Sequence, residues 1–392
     1  MDLVVSAAGS PETCAETLHN LPTPALVLDR GKLDRNISRL CGQVSALGAR
    51  LRPHLKTAKS IDVARRLFPG GVGPITVSTL AEAEYFAGHG FRNIIYAVGL
   101  APQKAQRALR LRREGVDLKL ILDTVDQAKA LGETGRALGI VPSALIEIDC
   151  DGHRGGLAPD DPLLGEIAAA LSHANVELAG VLTHAGESYA LNDPASLAAA
   201  AENERAGAVA AAKALRARGE DCPIVSVGST PTAHFAQNLE GVTEVRAGVY
   251  MFFDLVMHGV GVCGLDDIAL SVLATVIGKK PEKGWILVDS GWMALSRDRG
   301  TATQAVDQGY GLVCDIDGRP FTDLIVAQAS QEHGVLALRA GSNEELPDLS
   351  IGARVRILPN HACATAAQHE IYNVIDGTNL QVEAQWPRMR GW

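Results

Sequence analysis

Eight short runs rich in aliphatic and β-branched residues recur between residues 49 and 248. They are ARLRPHLK (49–56), PITVS (74–78), NIIYAV (93–98), LKLIL (118–122), SALIEID (143–149), ELAGVLTH (177–184), PIVSVGS (223–229) and TEVRAG (243–248). The stretches between them are rich in Ala, Leu, Glu and Arg and read as helices. Ahead of the first run, Leu33, Ile37, Leu40, Val44 and Leu47 recur at spacings of four and three, which places them on one face of a helix. Thr79 and Glu82 have the spacing of an N-terminal capping box. Eight strands alternating with helices predict an α/β fold, a (β/α)8 TIM-type barrel, with a doubly wound open sheet as the rival.

The pattern changes after about residue 265. IALSVLATVIG, GWILVDSG, DLIVAQASQEHGVLAL, ARVRILPNH and YNVID read as strands without long helices between them. The expected organisation is a tail over 1–20, a barrel over 21–264 and a β-rich domain over 265–392. The early strand ALVLD (25–29) is expected to join that second domain across the chain.

The 392 residues are 47% hydrophobic, enough for a large core, and carry a net charge of −9. That balance argues against nucleic acid or an anionic membrane as partner. No apolar run reaches the length of a membrane span. The first 20 residues lack a basic segment followed by an apolar one, so they read as a loose tail and not a signal peptide. Seven scattered cysteines without CxxC pairs suit free thiols in a reducing cytoplasm.

In a barrel, chemistry belongs at the C-terminal ends of the strands. The first run ends at Lys56, and strand periodicity puts Arg52, His54 and Lys56 on the interior face. Three basic groups there repel one another and need anions. A purely structural solution is an ion-pair ladder with Glu147 and Asp149. The functional one is a lysine beside a bound anion, ready to form a Schiff base. After the seventh run, Gly228 allows close backbone approach, Ser229 and Thr230 supply donors, and a helix can start at Pro231. Gly248, Val249 and Tyr250 follow the eighth run. Phosphate sites of barrels form at this place. His361 and Cys363, two residues apart, would point the same way on a strand and suit a divalent ion; a buried Cys beside a loop His is the plain alternative. Tyr189 is either a ring or phosphate contact or packing, and Arg154 either a cofactor contact or a surface ion pair.

These segments together resemble a known family. TPALVLD, RPHLKTAK, IEIDCDGHRGG, THAGESY, SVGSTPTA, EVRAGVYMFFD, DSGWMALSRDRG, DQGYG, PNHACATAAQH and WPRMRGW occur in the order seen in the D-threonine aldolase and D-serine dehydratase group of fold type III pyridoxal phosphate enzymes. The resemblance runs from residue 21 to the C-terminus. DQGYG and WPRMRGW lean toward the aldolases. The resemblance implies an alanine racemase-like fold and a homodimer. It implies pyridoxal 5'-phosphate on Lys56, with His54, Arg154, Tyr189, the Gly228-Ser229-Thr230 loop and Gly248-Val249-Tyr250 around it. It also implies a divalent metal ion (Mn, Mg or Zn) on His361 and Cys363. Cys363 departs from the Asp of some aldolases and matches the eukaryotic D-serine dehydratases. The implied reaction is retro-aldol cleavage of a D-3-hydroxy amino acid such as D-threonine to glycine and an aldehyde, with His184 as a candidate base. Dehydration of D-serine or 3-hydroxy-D-aspartate is the alternative, and a non-catalytic cofactor carrier a more remote one.

Overall fold

The computed structural model describes residues 16–392. The chain begins with β1 (Ala25–Asp29) and α1 (Arg30–Ala46), whose buried face is Leu33, Ile37, Leu40 and Val44. The barrel strands follow: β2 (Arg50–Pro53), β3 (Ile75–Val77), β4 (Asn93–Tyr96), β5 (Asp117–Leu122), β6 (Ser143–Ile148), β7 (Glu177–Thr183), β8 (Ile224–Val227) and β9 (Glu244–Ala247). Between and just after them run α2 (Ile61–Arg66), α3 (Leu80–Gly88), α4 (Ala105–Arg113), α5 (Val125–Leu138), α6 (Leu163–His173), α7 (Pro194–Ala217), α8 (Thr230–Phe235) and α9 (Leu255–Val260).

All neighbouring barrel strands are parallel, in the order β2-β9-β8-β7-β6-β5-β4-β3. The ring closes through a bridge between His54 and Thr76, with Leu55 N–H donating to Thr76 O at 2.9 Å. The eight expected runs are the eight strands, although most strands are shorter. The first differs most. β2 stops at Pro53, and His54 N–H turns to Ala247 O while Leu55 bonds across to Thr76. Lys56 therefore sits in the turn after the strand, with an exposed side chain.

The second sheet contains β10 (Leu270–Lys280), β11 (Trp285–Val288), β12 (Leu312–Cys314), β13 (Pro320–Ala329), β14 (Gly334–Leu338), β15 (Arg354–Leu358), β16 (Ile371–Asp376) and β17 (Asn379–Pro387). Its order is β11-β14-β13-β12-β15-β10-β1-β16-β17, with β11 also pairing β10. β1 lies between β10 and β16, as expected for ALVLD. Two short helices, α10 (Trp292–Leu295) and α11 (Ala362–Ala366), interrupt this part.

Two local expectations are corrected. Thr79 Oγ1 does cap α3 by accepting from Glu82 N–H, but the Glu82 carboxylate accepts from Ser78 N–H and pairs with Lys59 at 3.1 Å, so it does not return to Thr79. The tail expected over 1–20 lies outside the described residues up to residue 15. Beyond that it is docked: Thr17 bridges to Gln381 and Leu18 is fully buried. Among the described residues no helix is long and apolar enough to cross a membrane, and the six cysteines there are free thiols.

Candidate active site

A cavity of about 510 Å³ opens at the C-terminal end of the barrel, roofed by Asp298, Gly300, His361 and Cys363 from connections and a short helix of the β-rich part. It collects Lys56, His54, Arg154, His184, Tyr189, Gly228, Ser229, Thr230, Gly248, Val249, His361 and Cys363. Of the expected site residues only Tyr250 is elsewhere. The short 3-10 turn Val249–Met251 buries its ring in the core, where its hydroxyl has no partner.

Two glycines shape the floor. Gly228 has φ +146, and a Cβ there would meet Arg246 O at 1.9 Å, so no other residue fits. A Cβ on Gly248 would stand 2.9 Å from Thr57 Oγ1 and 3.0 Å from His54 O. The β9 end and the Lys56 turn thus touch through a missing side chain.

The Gly228-Ser229-Thr230 loop is held from behind. Glu204 on α7 is buried, and its Oε1 accepts from Gly228 N–H at 2.9 Å and Ala185 N–H at 3.0 Å. Its Oε2 accepts from the Thr232 hydroxyl at 2.7 Å. Burial nevertheless raises the Glu204 carboxyl above its ordinary range. Ser229 is the N-cap of α8, and its hydroxyl is shared among Ser188 Oγ, Thr232 Oγ1 and Thr232 N–H. That hydroxyl is committed inside the protein. The Thr230 hydroxyl is buried at the cavity wall beside the Tyr189 phenol, and no other group among the described residues claims it, so it can turn to donate to an anion. Tyr189, half-buried beside this loop, keeps its proton because burial pushes its phenol well up.

The basic interior is balanced by a protein carboxylate at Arg52. Arg52 donates to Glu244 at 2.8 Å and to Asn93 Oδ1 at 2.8 Å, so its partner is Glu244 and neither Glu147 nor Asp149. Arg246, buried on β9, donates to Ser226 Oγ at 2.9 Å and Thr183 O at 2.6 Å, and faces the cavity. Burial lowers it to about 10. Burial, and then the charges of Lys56 and Arg246, push His54 well below the usual histidine range. His184 donates from Nδ1 to Gly228 O at 2.8 Å and is depressed to about 3, first by burial. It is a neutral imidazole with a fixed tautomer.

The opposite wall carries the thiol. His361 and Cys363 do not lie on a strand. His361 is at the N-cap position of α11 and Cys363 is in its first turn, yet the two side chains line the same cavity and attract each other electrostatically. His361 Nδ1 donates to Asp298 at 2.6 Å, and Cys363 Sγ stands 3.2 Å from Thr57 Oγ1, next to Lys56. Burial opposes both charges, but their mutual attraction wins: the imidazole is raised and the thiol lowered. Imidazole plus thiolate, with a carboxylate fixing the ring, is a donor set for a borderline divalent ion. Among the described residues no third histidine, cysteine or carboxylate completes a cluster, so a bound ion would keep open positions.

Sequence reasoning missed Thr57, Glu204, Arg246, Asp254 and Asp298. Arg246 was within reach, since it shares strand parity with Glu244 on β9. Asp298 was not, because it meets His361 across 63 residues of chain.

A sequence profile described as "Alanine racemase, N-terminal domain" matches residues 28–256, and one described as "Putative serine dehydratase domain" matches residues 269–375. The first spans more than half of the chain. The chain belongs to the alanine racemase-like family. Within it, the second match and the full-length relatives place the chain in the fold type III group that includes D-serine dehydratases and D-threonine aldolases. D-threo-3-hydroxyaspartate dehydratase of Delftia sp. is 54% identical over 382 residues, covering 96% of this chain and all of that one. Its solved structure superposes with a TM-score of 0.92 at 53% identity, over 96% of this chain and 100% of that one. D-serine dehydratase of Dictyostelium discoideum is 29% identical over 95% of this chain and 98% of its own length. D-threonine aldolase of Arthrobacter sp. is 26% identical over 92% of this chain and 90% of its own. The expected lean toward the aldolases is therefore reversed.

Proposed function

We propose that this protein is a pyridoxal phosphate- and metal-dependent dehydratase of D-3-hydroxy amino acids, with D-threo-3-hydroxyaspartate as the foremost substrate. The observation that carries this reading is the full-length 54% identity to the Delftia dehydratase. Two solved variants of that protein replace a histidine and a cysteine two residues apart, and the cysteine variant is described as metal-free. His361 and Cys363 have the same spacing here. The overall reaction converts D-threo-3-hydroxyaspartate to oxaloacetate and ammonia.

Lys56 is the amine that would hold the cofactor aldehyde. Thr230 would donate to the phosphate, with Tyr189 beside it, and Gly228 and Gly248 give the close approach that backbone donors need. Arg246 and Arg154 supply positive charge at the cavity wall. When bound, the cofactor stores the electron pair left at the substrate α-carbon, and the ion polarises the departing hydroxyl. Lys56 Nζ moves the α-proton. His184, neutral and tied to Gly228, orients and is not the principal base: a group depressed to about 3 holds an incoming proton weakly. Zinc suits an imidazole and a thiolate better than magnesium does. A homodimer is part of this reading, tested by sedimentation of the cofactor-loaded protein.

The test is product identity. The metal- and cofactor-loaded protein is mixed separately with D-threo-3-hydroxyaspartate, D-serine and D-threonine. A 2-oxo acid with stoichiometric ammonia is expected, fastest from hydroxyaspartate. Glycine with glyoxylate from hydroxyaspartate, or glycine with acetaldehyde from D-threonine, would replace dehydration by retro-aldol cleavage.

A further inference from the structure

The C-terminal segment WPRMRGW ends in an arrangement that the site so far described does not use. Arg388 is buried, which is rare for an arginine that has no ion-pair partner. Among the described residues it has no carboxylate within ion-pair distance. Its guanidinium is instead spread over carbonyls. Nε donates to Ala58 O at 3.2 Å and to Tyr372 Oη at 2.8 Å. One terminal nitrogen donates to Ala366 O and to His369 O. Tyr372 Oη in turn donates to Ala58 O at 2.7 Å.

Those acceptors belong to two different pieces of the active site. Ala58 is two residues beyond Lys56, at the end of its turn. Ala366 is the last residue of α11, the helix that carries Cys363. The start of α11 is already fixed to the barrel: Asp254 accepts from Ala362 N–H at 2.8 Å, and Leu255 and Val256 N–H donate to Pro359 and Asn360 carbonyls. Among the described residues, the Arg388 fork is the side chain that bonds both its far end and the lysine turn. The turn is otherwise held by Lys59, whose φ is +47 and whose ammonium reaches buried Glu82, and by Met389 N–H donating to Lys59 O at 2.7 Å.

We propose that Arg388 is a positioning residue that fixes the Lys56 turn against the Cys363 helix, and so sets how the cofactor amine stands relative to the metal-binding thiol. This rests on the reading of Lys56, His361 and Cys363 given above. The rigid fork bonds both sides at once from separate nitrogens held in a fixed plane, whereas an ammonium presents its three donors from one rotatable point. The direct link across the site, Cys363 Sγ to Thr57 Oγ1 at 3.2 Å, is short enough to be lost if the two pieces slide. A buried cation without a counter-ion is costly, and holding two pieces of the site in register offsets that cost.

Arg388→Met keeps the aliphatic stem and removes the fork, and Arg388→Lys keeps the charge. Each is compared with wild type by far-UV circular dichroism, visible absorbance of the lysine-bound cofactor, Zn2+ titration of the chelator-stripped protein, and steady-state kinetics on D-threo-3-hydroxyaspartate. Folded Arg388→Met is expected to keep the cofactor absorbance, to bind Zn2+ about tenfold more weakly, the scale typical of groups that orient metal ligands, and to lose kcat with little change in KM. Guanidinium ion at millimolar concentration restores part of kcat, and Arg388→Lys falls between. Wild-type zinc affinity and kcat in a folded Arg388→Met would overturn the proposal. If that variant does not fold, wild-type values in Arg388→Lys overturn it equally. A wild-type protein inactive on every D-3-hydroxy amino acid would sink the functional reading instead, while the zinc titration still decides the role of Arg388.

Discussion

At the scale of single residues, the cavity separates hydroxyls that serve the protein from one that is left for a ligand. Ser229 and Thr230 were equivalent in sequence, two donors in a Gly-Ser-Thr loop. The structure commits Ser229 to capping α8 and leaves the buried Thr230 hydroxyl, beside the Tyr189 phenol, able to turn to a ligand. The Ser229–Thr232 spacing of a capping box hints at the difference, but the commitment of the Ser229 hydroxyl also depends on Ser188 arriving from another segment. Thr230→Val keeps the shape and deletes the donor. A hydrogen bond to a charged group contributes about 1.5–3 kcal/mol, so cofactor affinity is expected to fall by roughly 10–100-fold. Absorbance titration of the stripped protein measures it, and an unchanged dissociation constant would remove Thr230 from the phosphate site. Lys56, by contrast, was legible, because a lone lysine at the end of the first barrel run stands out. Its exact position was not, since β2 ends at Pro53 and the turn, not the strand, presents the amine.

At the scale of elements, α7 and α8 show how the barrel spends helices on its site. Glu204 on α7 holds the loops after β7 and β8 with one carboxylate oxygen. Glu204→Ala leaves the N–H groups of Ala185 and Gly228 without their acceptor, at about 1–3 kcal/mol for each buried group. The urea midpoint of the variant is expected to fall accordingly, and a midpoint equal to wild type would show that the loops find other partners. α8 carries a different signal. His234 in its last turn has a buried Nε2 without a partner and packs on Phe253. Burial, and then the charge of Arg39, lower it to about 4. The folded state therefore refuses a proton that the unfolded state takes up below about 6.5. Stability contributed by the neutral ring is present above that pH and is lost as the pH falls toward 4. His234→Phe does not titrate. Its stability relative to wild type should rise by about 3 kcal/mol between pH 6.5 and 4, measured as the difference between two urea series. A difference that stays flat with pH would mean that His234 protonates normally in the fold.

At the scale of the whole molecule, the alternation of strands and helices made the barrel legible, and the loss of helices after residue 265 made the second sheet legible. The way the two are joined was only partly so. ALVLD read as a strand outside the barrel, but its neighbours, β10 antiparallel and β16 parallel, come from opposite ends of the second domain. All five of its residues are buried. β12 and β17 went unrecognised: the first has only three residues and so no period, whereas the second was legible, since Leu380, Val382, Ala384 and Trp386 alternate with polar residues and with exposed positions. The placement of β1 has a consequence for folding. Without it, β10 and β16 each lose a partner, and a hydrophobic slot opens in the middle of the sheet. A fragment of residues 265–392 is therefore expected to lack a cooperative unfolding transition, although it contains eight strands of that sheet. The same fragment preceded by residues 22–30 through a flexible glycine-serine linker should regain one, because the linker replaces the barrel as the tether for β1. Circular dichroism melts of the two fragments side by side decide the matter. A sharp melt from residues 265–392 alone would show that the second sheet is self-sufficient and that β1 only decorates it.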